Sequence, residues 1–449
     1  MPMPATPTLL RTLPALALAC AFSLAAGTAQ AQTQTTPTEL ERRLERLAAE
    51  LAEVKAQLAA MQQQRAPAPP ASPPTSPPTS PPTSLPTSQT PVAIEPAARP
   101  APPATVLGSY GEINYNRPTK ATQNTQVDVR RFVLGVLHRF DERTKLVTEL
   151  EVEHAVASAS DRGEVALEQA YVERQLSPTW ALRAGLFLVP LGLLNENHEP
   201  TAFYGVERNF VETAIIPSTW REGGVQLVGA FDNGITLQGG LATSFDLTKW
   251  DATSAGGRES PLASVHQELA LAKGRDLALF GAVNWRGVPG LLLGGGVFSG
   301  GATHGQAVAS ARVTLWDVHA RWTPGRWDLA ALYSRGSISN TAKLNAPLVG
   351  HPTLIPARFD GSYVQAAYRL WRNEGLVLSP FVRWERFNTA SRYADLGPGL
   401  TPSAGMAERV WTVGATLQIA PGVVVKADSQ RFGRDKDADR VNFGLGWSF

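Results

Sequence analysis

The last nine residues of the chain alternate strictly between apolar and small or polar positions. Val441, Phe443, Leu445, Trp447 and Phe449 are apolar, and the residues between them are asparagine, glycine or serine. Successive side chains of a β-strand point to opposite faces, so this strand has one apolar face and one small or polar face that water can solvate. A wall with lipid outside and water inside needs such strands. The pattern predicts a strand of a transmembrane β-barrel.

The same alternation recurs through residues 105–449 and predicts a 16-stranded antiparallel β-barrel. Short turns and longer loops alternate between the strands, which is typical of outer-membrane barrels. The turns are predicted at Asp141 to Thr144, Ser177 to Thr179, Asp232 to Gly234, Arg286 to Gly290, Thr323 to Arg326, Arg372 to Gly375 and Ala420 to Gly422. A single strand of a water-soluble sandwich would look the same. The even strand count, the loop pattern and the aromatic terminus favour the barrel.

The third long loop, Pro190 to Arg221, is rich in charged and aromatic residues. Loops of this length are usually functional or disordered. We therefore predict that it folds inward and narrows the pore, and the alternative is an ordinary exposed loop. The residues predicted to lie nearest the constriction are Glu199, Glu207, Arg208 and Glu212.

Side chains predicted to line the lumen wall carry both signs of charge. They are Arg131, Glu149, Glu151, Glu153, Arg383, Glu385, Lys426 and Asp428. The three glutamates either attract cations or pair with Arg131 on the neighbouring strand, and pairing is the favoured alternative because opposite charges stabilise cross-strand neighbours. His319 and Asp317 share a face, but alternate residues of a strand lie roughly 7 Å apart. We therefore predict no direct contact between them and no acid–base chemistry.

The first 104 residues predict three further segments. Residues 1–31 combine Arg11, an apolar run and an Ala-Gln-Ala ending, as a secretory signal peptide does. Residues 32–65 carry apolar residues at alternating spacings of four and three, which predicts a coiled-coil oligomerisation helix, with an amphipathic helix packed on its own domain as the alternative. Residues 66–104 are dominated by proline, serine, threonine and alanine and predict an extended linker.

Composition excludes several other classes of protein. The chain holds 41 Lys and Arg against 39 Asp and Glu, whereas a nucleic-acid-binding protein normally has a clustered basic excess. Its one cysteine, Cys20, lies in the predicted signal peptide, so disulfides and thiolate metal sites are not expected. No nucleophile, base and orienting group occur at plausible spacings, and we expect neither enzymatic activity nor a cofactor.

Several segments together resemble outer-membrane porins of the phosphate-selective O and P family. They are DVRRFVLGVLHRF (Asp128 to Phe140), ELEVEHA (Glu149 to Ala155), LEQAYVE (Leu167 to Glu173), RAGLFLVPLG (Arg183 to Gly192), NENHEPTAFYGVERNFVETAIIPSTWREGG (Asn195 to Gly224) and PFVRWERFNT (Pro380 to Thr389). The resemblance implies a trimeric sixteen-stranded barrel with an inward-folded third loop. It also implies passage of small solutes, with a preference for phosphate or other anions in some members.

The chain departs from the phosphate-selective pattern in the lumen. Such selectivity needs a ladder of Lys and Arg that replaces the hydration shell of an anion. The predicted lumen residues are mixed in sign, and Leu186 and Leu188 stand where family members carry a basic residue. Strong anion selectivity is therefore not predicted.

The leading hypothesis is a porin that lets small hydrophilic solutes and ions, anions such as phosphate among them, diffuse across the outer membrane of a Gram-negative bacterium. Expected partners are outer-membrane lipid, two further copies in a homotrimer and the barrel-assembly machinery, which would engage the strand ending at Phe449. The short turns and the coiled coil are expected on the periplasmic side. The alternative hypothesis is a structural tether that links the outer membrane to the cell wall through the coiled coil. A membrane-embedded hydrolase is disfavoured.

Overall fold

The computed structural model describes residues 104–158 and 160–449. The predicted signal peptide, the coiled-coil helix and all of the linker except its last residue lie outside the described residues. They remain predictions from the sequence.

A single antiparallel sheet of seventeen strand segments contains nearly all of the regular structure. The segments are β1 (Thr105–Pro118), β2 (Gln126–Arg139), β3 (Thr144–Val152), β4 (Val165–Gln175), β5 (Trp180–Leu188), β6 (Arg221–Ala230), β7 (Ile235–Thr243), β8 (Leu277–Trp285), β9 (Leu291–Gly301), β10 (Arg312–Trp322), β11 (Trp327–Ile338), β12 (Arg358–Tyr368), β13 (Trp371–Asn373), β14 (Leu376–Arg392), β15 (Glu408–Ala420), β16 (Val423–Phe432) and β17 (Arg440–Ser448). Both β12 and β13 pair with β14, so β13 continues β12 and the wall has the sixteen predicted strands.

The first and last strands close the sheet into a barrel. β1 and β17 pair antiparallel from Tyr110 opposite Ser448 to Pro118 opposite Arg440. Beyond β17, the backbone N–H of Phe449 donates to the carbonyl oxygen of Ser109 at 2.9 Å. Closure pairs the backbone groups that an edge strand would otherwise leave free.

The connections alternate between short turns and long loops, and all seven predicted turns are confirmed. The long connections, here called L1 to L8, are residues 119–125, 153–164, 189–220, 244–276, 302–311, 339–357, 393–407 and 433–439. Short helical segments occur at Thr122–Asn124, Val211–Ile215, Leu247–Lys249, Gly256–Glu259, Ala263–Val265, Thr341–Asn345, Ala346–Leu348 and Lys436–Ala438. Within the described part of the chain, no helix has the length and apolar character needed to cross a membrane.

The outer face of the barrel is apolar and the inner face is largely polar. On β15, Trp411 is 52% exposed and Val413 is 56% exposed, whereas Thr412 between them is fully buried. A protein folded in water would show the opposite arrangement. This inversion agrees with a barrel whose outer face is covered by lipid.

One side of the barrel interior is packed with apolar side chains. At its centre the Trp220 ring lies 5.0 Å from the Phe245 ring and 4.6 Å from the Phe298 ring, centroid to centroid. The cluster joins L3, L4, L5 and L6 to strands β4, β5 and β7 to β12. We call this the apolar side of the interior, and the region between L3 and strands β1 to β4 the polar side.

Candidate functional site

The third long loop, L3, folds into the barrel and reaches strands on opposite sides of the wall. Thr201 Oγ1 lies 2.7 Å from Ser448 Oγ on β17, and Glu196 Oε1 accepts a hydrogen bond of 3.0 Å from Gln238 on β7. β7 and β17 are nearly opposite each other around the sixteen-strand wall. The predicted inward folding of this loop is therefore confirmed.

Carboxylates of the barrel wall hold the backbone of L3. The hydrogen bonds run from Gly192 N to Asp317 Oδ2 at 3.1 Å, from Val206 N to Asp428 Oδ2 at 2.6 Å and from Phe210 N to Glu385 Oε2 at 2.6 Å. Buried backbone N–H groups need such partners, and an ionised acceptor strengthens the bond. Glu385 and Asp428, predicted as lumen-wall residues, thus face inward and bind L3.

The carboxylate of Glu212 is buried and accepts four hydrogen bonds. Its hydrogen-bond donors are Leu193 N at 2.6 Å, Leu194 N at 2.7 Å, Asn209 Nδ2 at 2.9 Å and the Tyr363 hydroxyl at 2.9 Å. The residue is 1% exposed and borders neither of the cavities described next. Glu212 therefore fastens L3 to itself and to β12 instead of facing the pore as predicted.

Two cavities lie on the polar side near the ends of the strands that carry the long loops. Their volumes are about 360 Å³ and about 240 Å³, and they share four lining residues: Arg130, Arg131, Thr213 and Ser218. We call them the loop-end cavities. Of the predicted constriction residues, Glu207 and Arg208 line the larger one, and Glu199 lines neither. Glu151 and Glu153 line the smaller one.

Arg131 is the centre of a buried ion network. Its Nε lies 3.0 Å from Glu112 Oε1, Nη1 lies 3.1 Å from Glu151 Oε1, and Nη2 lies 3.9 Å from Glu153 Oε1. The pairing predicted for Glu151 and Glu153 is confirmed. Glu149 differs from them, because its carboxylate accepts a hydrogen bond from the Gln169 amide at 2.5 Å.

Three other guanidinium groups line the larger loop-end cavity: those of Arg130, Arg208 and Arg440. None of them forms an ion pair with a carboxylate of residues 104–158 or 160–449. Facing them, Glu207 accepts hydrogen bonds from the side-chain amides of Asn116 at 2.8 Å and Asn114 at 3.3 Å. The cavity therefore presents fixed charges of both signs, as the mixed composition of the wall predicted.

Glu268 of L4 borders the smaller loop-end cavity between two basic partners. His266 Nδ1 and Arg221 Nη2 each lie 3.1 Å from its Oε1. Burial alone would raise the pKa of Glu268, but the close contact with His266 and the positive charge of Arg221 outweigh burial and lower that pKa. Glu268 is therefore a fixed negative charge at neutral pH.

Arg383 and Lys426, also predicted for the lumen wall, are buried beneath L3. Arg383 Nε lies 3.0 Å from Glu385 Oε1, and its Nη1 donates to the carbonyl oxygen of Tyr204 at 3.2 Å. Lys426 Nζ lies 3.7 Å from the centroid of the Phe203 ring, a cation–π contact. Both residues therefore contact L3 and hold it against the barrel wall.

His319 and Asp317 are in direct contact, so the predicted separation is wrong. His319 Nδ1 lies 2.6 Å from Asp317 Oδ1, and its Nε2 lies 2.9 Å from Asn284 Oδ1. The backbone spacing of about 7 Å does not fix the distance between side-chain ends, which lean along the strand. Because Asp317 also accepts the Gly192 hydrogen bond, the pair positions L3.

A third cavity, of about 140 Å³, lies near the short turns on the other side of L3. Its lining includes Tyr204 from the loop and Arg321, Arg369 and Gln418 from the wall. Arg321 is held by Asp328, with Nε at 2.9 Å and Nη2 at 2.7 Å from its two oxygens. Polar cavities thus occur on both sides of the loop.

Sequence reasoning missed a polar cluster where L3 meets β1 and β4. The Tyr110 hydroxyl donates to Glu168 Oε2 at 2.5 Å and lies 2.6 Å from His198 Nε2. A register shift between Glu149 and Leu150 leaves Glu168 as an extra residue of β4, and a period-two pattern does not show such a bulge. The signal in the sequence was His198 itself, a histidine between two glutamates of the loop.

The fold and site together define a class of protein. A closed sixteen-stranded barrel with an apolar outer face, a charged interior and one long loop folded inward is a transmembrane β-barrel. Barrels of this strand number are wide enough to enclose water, whereas eight strands are filled by side chains.

Comparison with known proteins agrees with this class. No protein family profile matches the chain. An uncharacterized protein of Aquifex aeolicus (strain VF5) is 27% identical over 354 residues, covering 76% of this chain and 79% of that protein. Salmonella typhi OmpF, solved in complex with daunomycin, superposes with a TM-score of 0.54 at 12% identity, covering 77% of this chain and 97% of that one. The similarity to OmpF shows that the fold is that of an outer-membrane porin.

A second solved structure is less similar. The outer membrane channel DcaP of Acinetobacter baumannii superposes with a TM-score of 0.48 at 14% identity, covering 77% of this chain and 97% of that one. Membership of the phosphate-selective O and P family stays a prediction from the quoted segments.

Proposed function

We propose that the chain forms an outer-membrane channel through which small hydrophilic solutes and ions diffuse passively, between L3 and strands β1 to β4. One observation carries the proposal. The polar side of the interior holds two adjoining charged cavities, whereas the apolar cluster fills the interior beyond Trp220, a residue that borders the smaller cavity. Water and ions therefore have a more favourable environment among these charged groups than among the apolar side chains of the cluster.

Charge in the larger loop-end cavity supports passage of small anions, phosphate included, alongside cations. Arg130, Arg208 and Arg440 are free of ion pairs with described carboxylates, and Glu207 is the acidic residue of L3 beside them. The Arg131 network and the acidic smaller cavity offset this excess. We infer weak selectivity in place of the strong selectivity that a basic ladder would give.

Planar-bilayer recording of the purified protein tests the channel. We expect discrete conductance steps in potassium chloride and in potassium phosphate. Deleting residues 197–212 should raise the conductance, because it removes the part of L3 that lines the larger cavity. A control deletion of residues 396–402 in L7, which are exposed or partly exposed, should leave the conductance unchanged. Equal conductance of the native chain and the L3 deletion would contradict the proposed ion path beside L3.

We further propose that the short turns face the periplasm, that the chain assembles as a trimer, and that its last strand is read by the barrel-assembly machinery. Pairing of β1 with β17 places residue 104 and Phe449 at the end of the barrel that carries the short turns. The heptad pattern of residues 32–65 supports self-association. Chemical cross-linking with and without residues 32–104 tests the trimer. The tethering alternative involves the same segment and stays a prediction.

A further inference from the structure

A cluster of three side chains joins L3 to two strands of the polar side. Glu149 of β3, Glu168 of β4 and His198 of L3 each place a ligand-type atom within 4.8 Å of the other two. The Tyr110 hydroxyl of β1 contacts two of them. Three strands and the loop therefore converge on one small group of nitrogen and oxygen atoms.

The orientation of His198 suits a ligand. Its Nδ1 lies 2.8 Å from the backbone oxygen of Asn195, so Nδ1–H donates there and fixes the ring. Its Nε2 is then directed at Glu168 Oε1, 3.2 Å away. Histidines that bind metal ions commonly hold the second ring nitrogen in this way, because that bond sets the tautomer and the ring direction.

Glu168 is the second feature that indicates a bound cation. Its side chain is fully buried, and its Oε1 accepts no hydrogen bond despite the nearby His198 nitrogen. A buried carboxylate oxygen without a donor is costly, and Glu149 adds another negative group beside it. The alternative is a doubly protonated His198 that balances Glu168 as an ion pair, with no metal.

We propose that Glu149, Glu168 and His198 bind a divalent transition-metal ion, with Zn²⁺ as the probe. One imidazole nitrogen with two carboxylates suits Zn²⁺, whereas Mg²⁺ and Ca²⁺ prefer oxygen ligands alone. The Tyr110 oxygen or a water molecule would complete four-fold coordination. Ligand bonds of about 2.0–2.2 Å require the group to contract, which Glu149 can do because its side chain is not fully buried.

Metal binding at this position would pin the first part of L3 to the wall between β3 and β4. The site thus goes beyond passive diffusion and gives the channel a ligand that stiffens its loop. The half-buried Glu149 is the least buried of the three ligands and gives an ion from the lumen its point of entry.

The test uses the full chain, purified in detergent and stripped with EDTA. Zn²⁺ binding is measured by equilibrium dialysis, and Co²⁺ by the visible absorption of its tetrahedral complex. We expect one ion per chain. His198→Ala should weaken Zn²⁺ binding by about tenfold or more and abolish the Co²⁺ band. The matched control is His154→Ala, since His154 has a single carboxylate partner, Asp128, at 2.7 Å.

A second variant guards against misfolding of the first. Glu149→Gln keeps the side-chain volume and leaves buried Glu168 and His198 intact, and it should also lose the Co²⁺ band. Circular dichroism confirms that each variant retains its strands. Loss of binding in both variants with retention in His154→Ala supports the site, and any other pattern overturns it. Conductance is recorded separately, so failure here leaves the proposed channel untouched.

Discussion

The two sides of the barrel interior are built on opposite principles. The apolar side is a packed core of aromatic and aliphatic side chains that joins L3 to L4, L5 and L6. The polar side contains the loop-end cavities, lined by charged groups of L3 and the wall. This porin fold thus stabilises its inward-folded loop in the same way that a soluble domain stabilises its core, and leaves only part of the barrel interior to water.

A single helical turn of L3 separates the two sides. Val211 and Ile215 pack toward β12, where a Cβ on Gly361 would lie 3.1 Å and 3.0 Å from their side chains. Thr213, between them, lines both loop-end cavities. Glycine at position 361 therefore allows the close approach of the loop, and alternate residues of the turn face opposite sides.

The largest expected effect comes from the apolar side. Trp220→Ala removes the ring between Phe245 and Phe298 and should lower the free energy of unfolding by about 3–5 kcal/mol. Urea unfolding in detergent, followed by tryptophan fluorescence and circular dichroism, measures it. Arg130→Gln, on the polar side, should change stability by no more than about 0.5 kcal/mol. Similar losses in both variants would remove the distinction between the two sides.

The buried ion network is the exception on the polar side. Arg131→Met leaves Glu112, Glu151 and Glu153 without their shared cation and should cost about 3 kcal/mol, since unpaired buried carboxylates are poorly solvated. The reversal potential in a salt gradient should also shift toward cations. Arg130→Met serves as the control for stability, and an unfolding free energy equal to that of native protein in Arg131→Met would refute the network.

Docking of L3 by wall carboxylates predicts a smaller effect. Asp428→Asn replaces a charged acceptor of the Val206 N–H by a neutral one, which should weaken the contact by about 1 kcal/mol. We expect more open-channel noise in single-channel records as the loop moves more. Asp360→Asn is the control, because Asp360 pairs with Arg386 and not with L3. Equal noise in the two variants counts against docking.

The smallest expected effect is a change in ion selectivity that is not accompanied by a change in the free energy of unfolding. Arg130→Gln removes one unpaired guanidinium from both loop-end cavities and should shift the reversal potential modestly toward cations. Arg174→Gln removes an exposed guanidinium that pairs with Asp141 beside a short turn, and it should leave the reversal potential unchanged. A shift in the control but not in Arg130→Gln would place the ion path elsewhere.

Much of the fold could be predicted from the sequence because a β-barrel is governed by local patterns. Period-two alternation located the strands, and turn residues such as Asn233 and Gly234 located the hairpins. The length and composition of L3 indicated its inward course. Alternation also predicted that Glu151 and Arg131 share the lumen face, and their ion pair follows from that register.

The contacts of L3 could not be predicted because they join residues far apart in sequence. The backbone bond from Val206 to Asp428 and the enclosure of Glu212 depend on how the loop lies across the barrel. Alternation of apolar and polar residues also does not predict β-bulges. The register shift beside Glu112 allows both Arg130 and Arg131 to line the loop-end cavities. The apolar side was missed because inward residues such as Leu315 break the polar-in rule.

Cysteine accessibility provides the sharpest test that water fills the loop-end cavities and is excluded from the apolar cluster. In a Cys20→Ser background, Thr213→Cys places a thiol between the loop-end cavities, and Ala302→Cys places one in the apolar cluster. A charged methanethiosulfonate reagent added during bilayer recording should reduce the conductance of the Thr213→Cys channel and leave that of Ala302→Cys unchanged. Block of Ala302→Cys with no effect on Thr213→Cys would contradict the account.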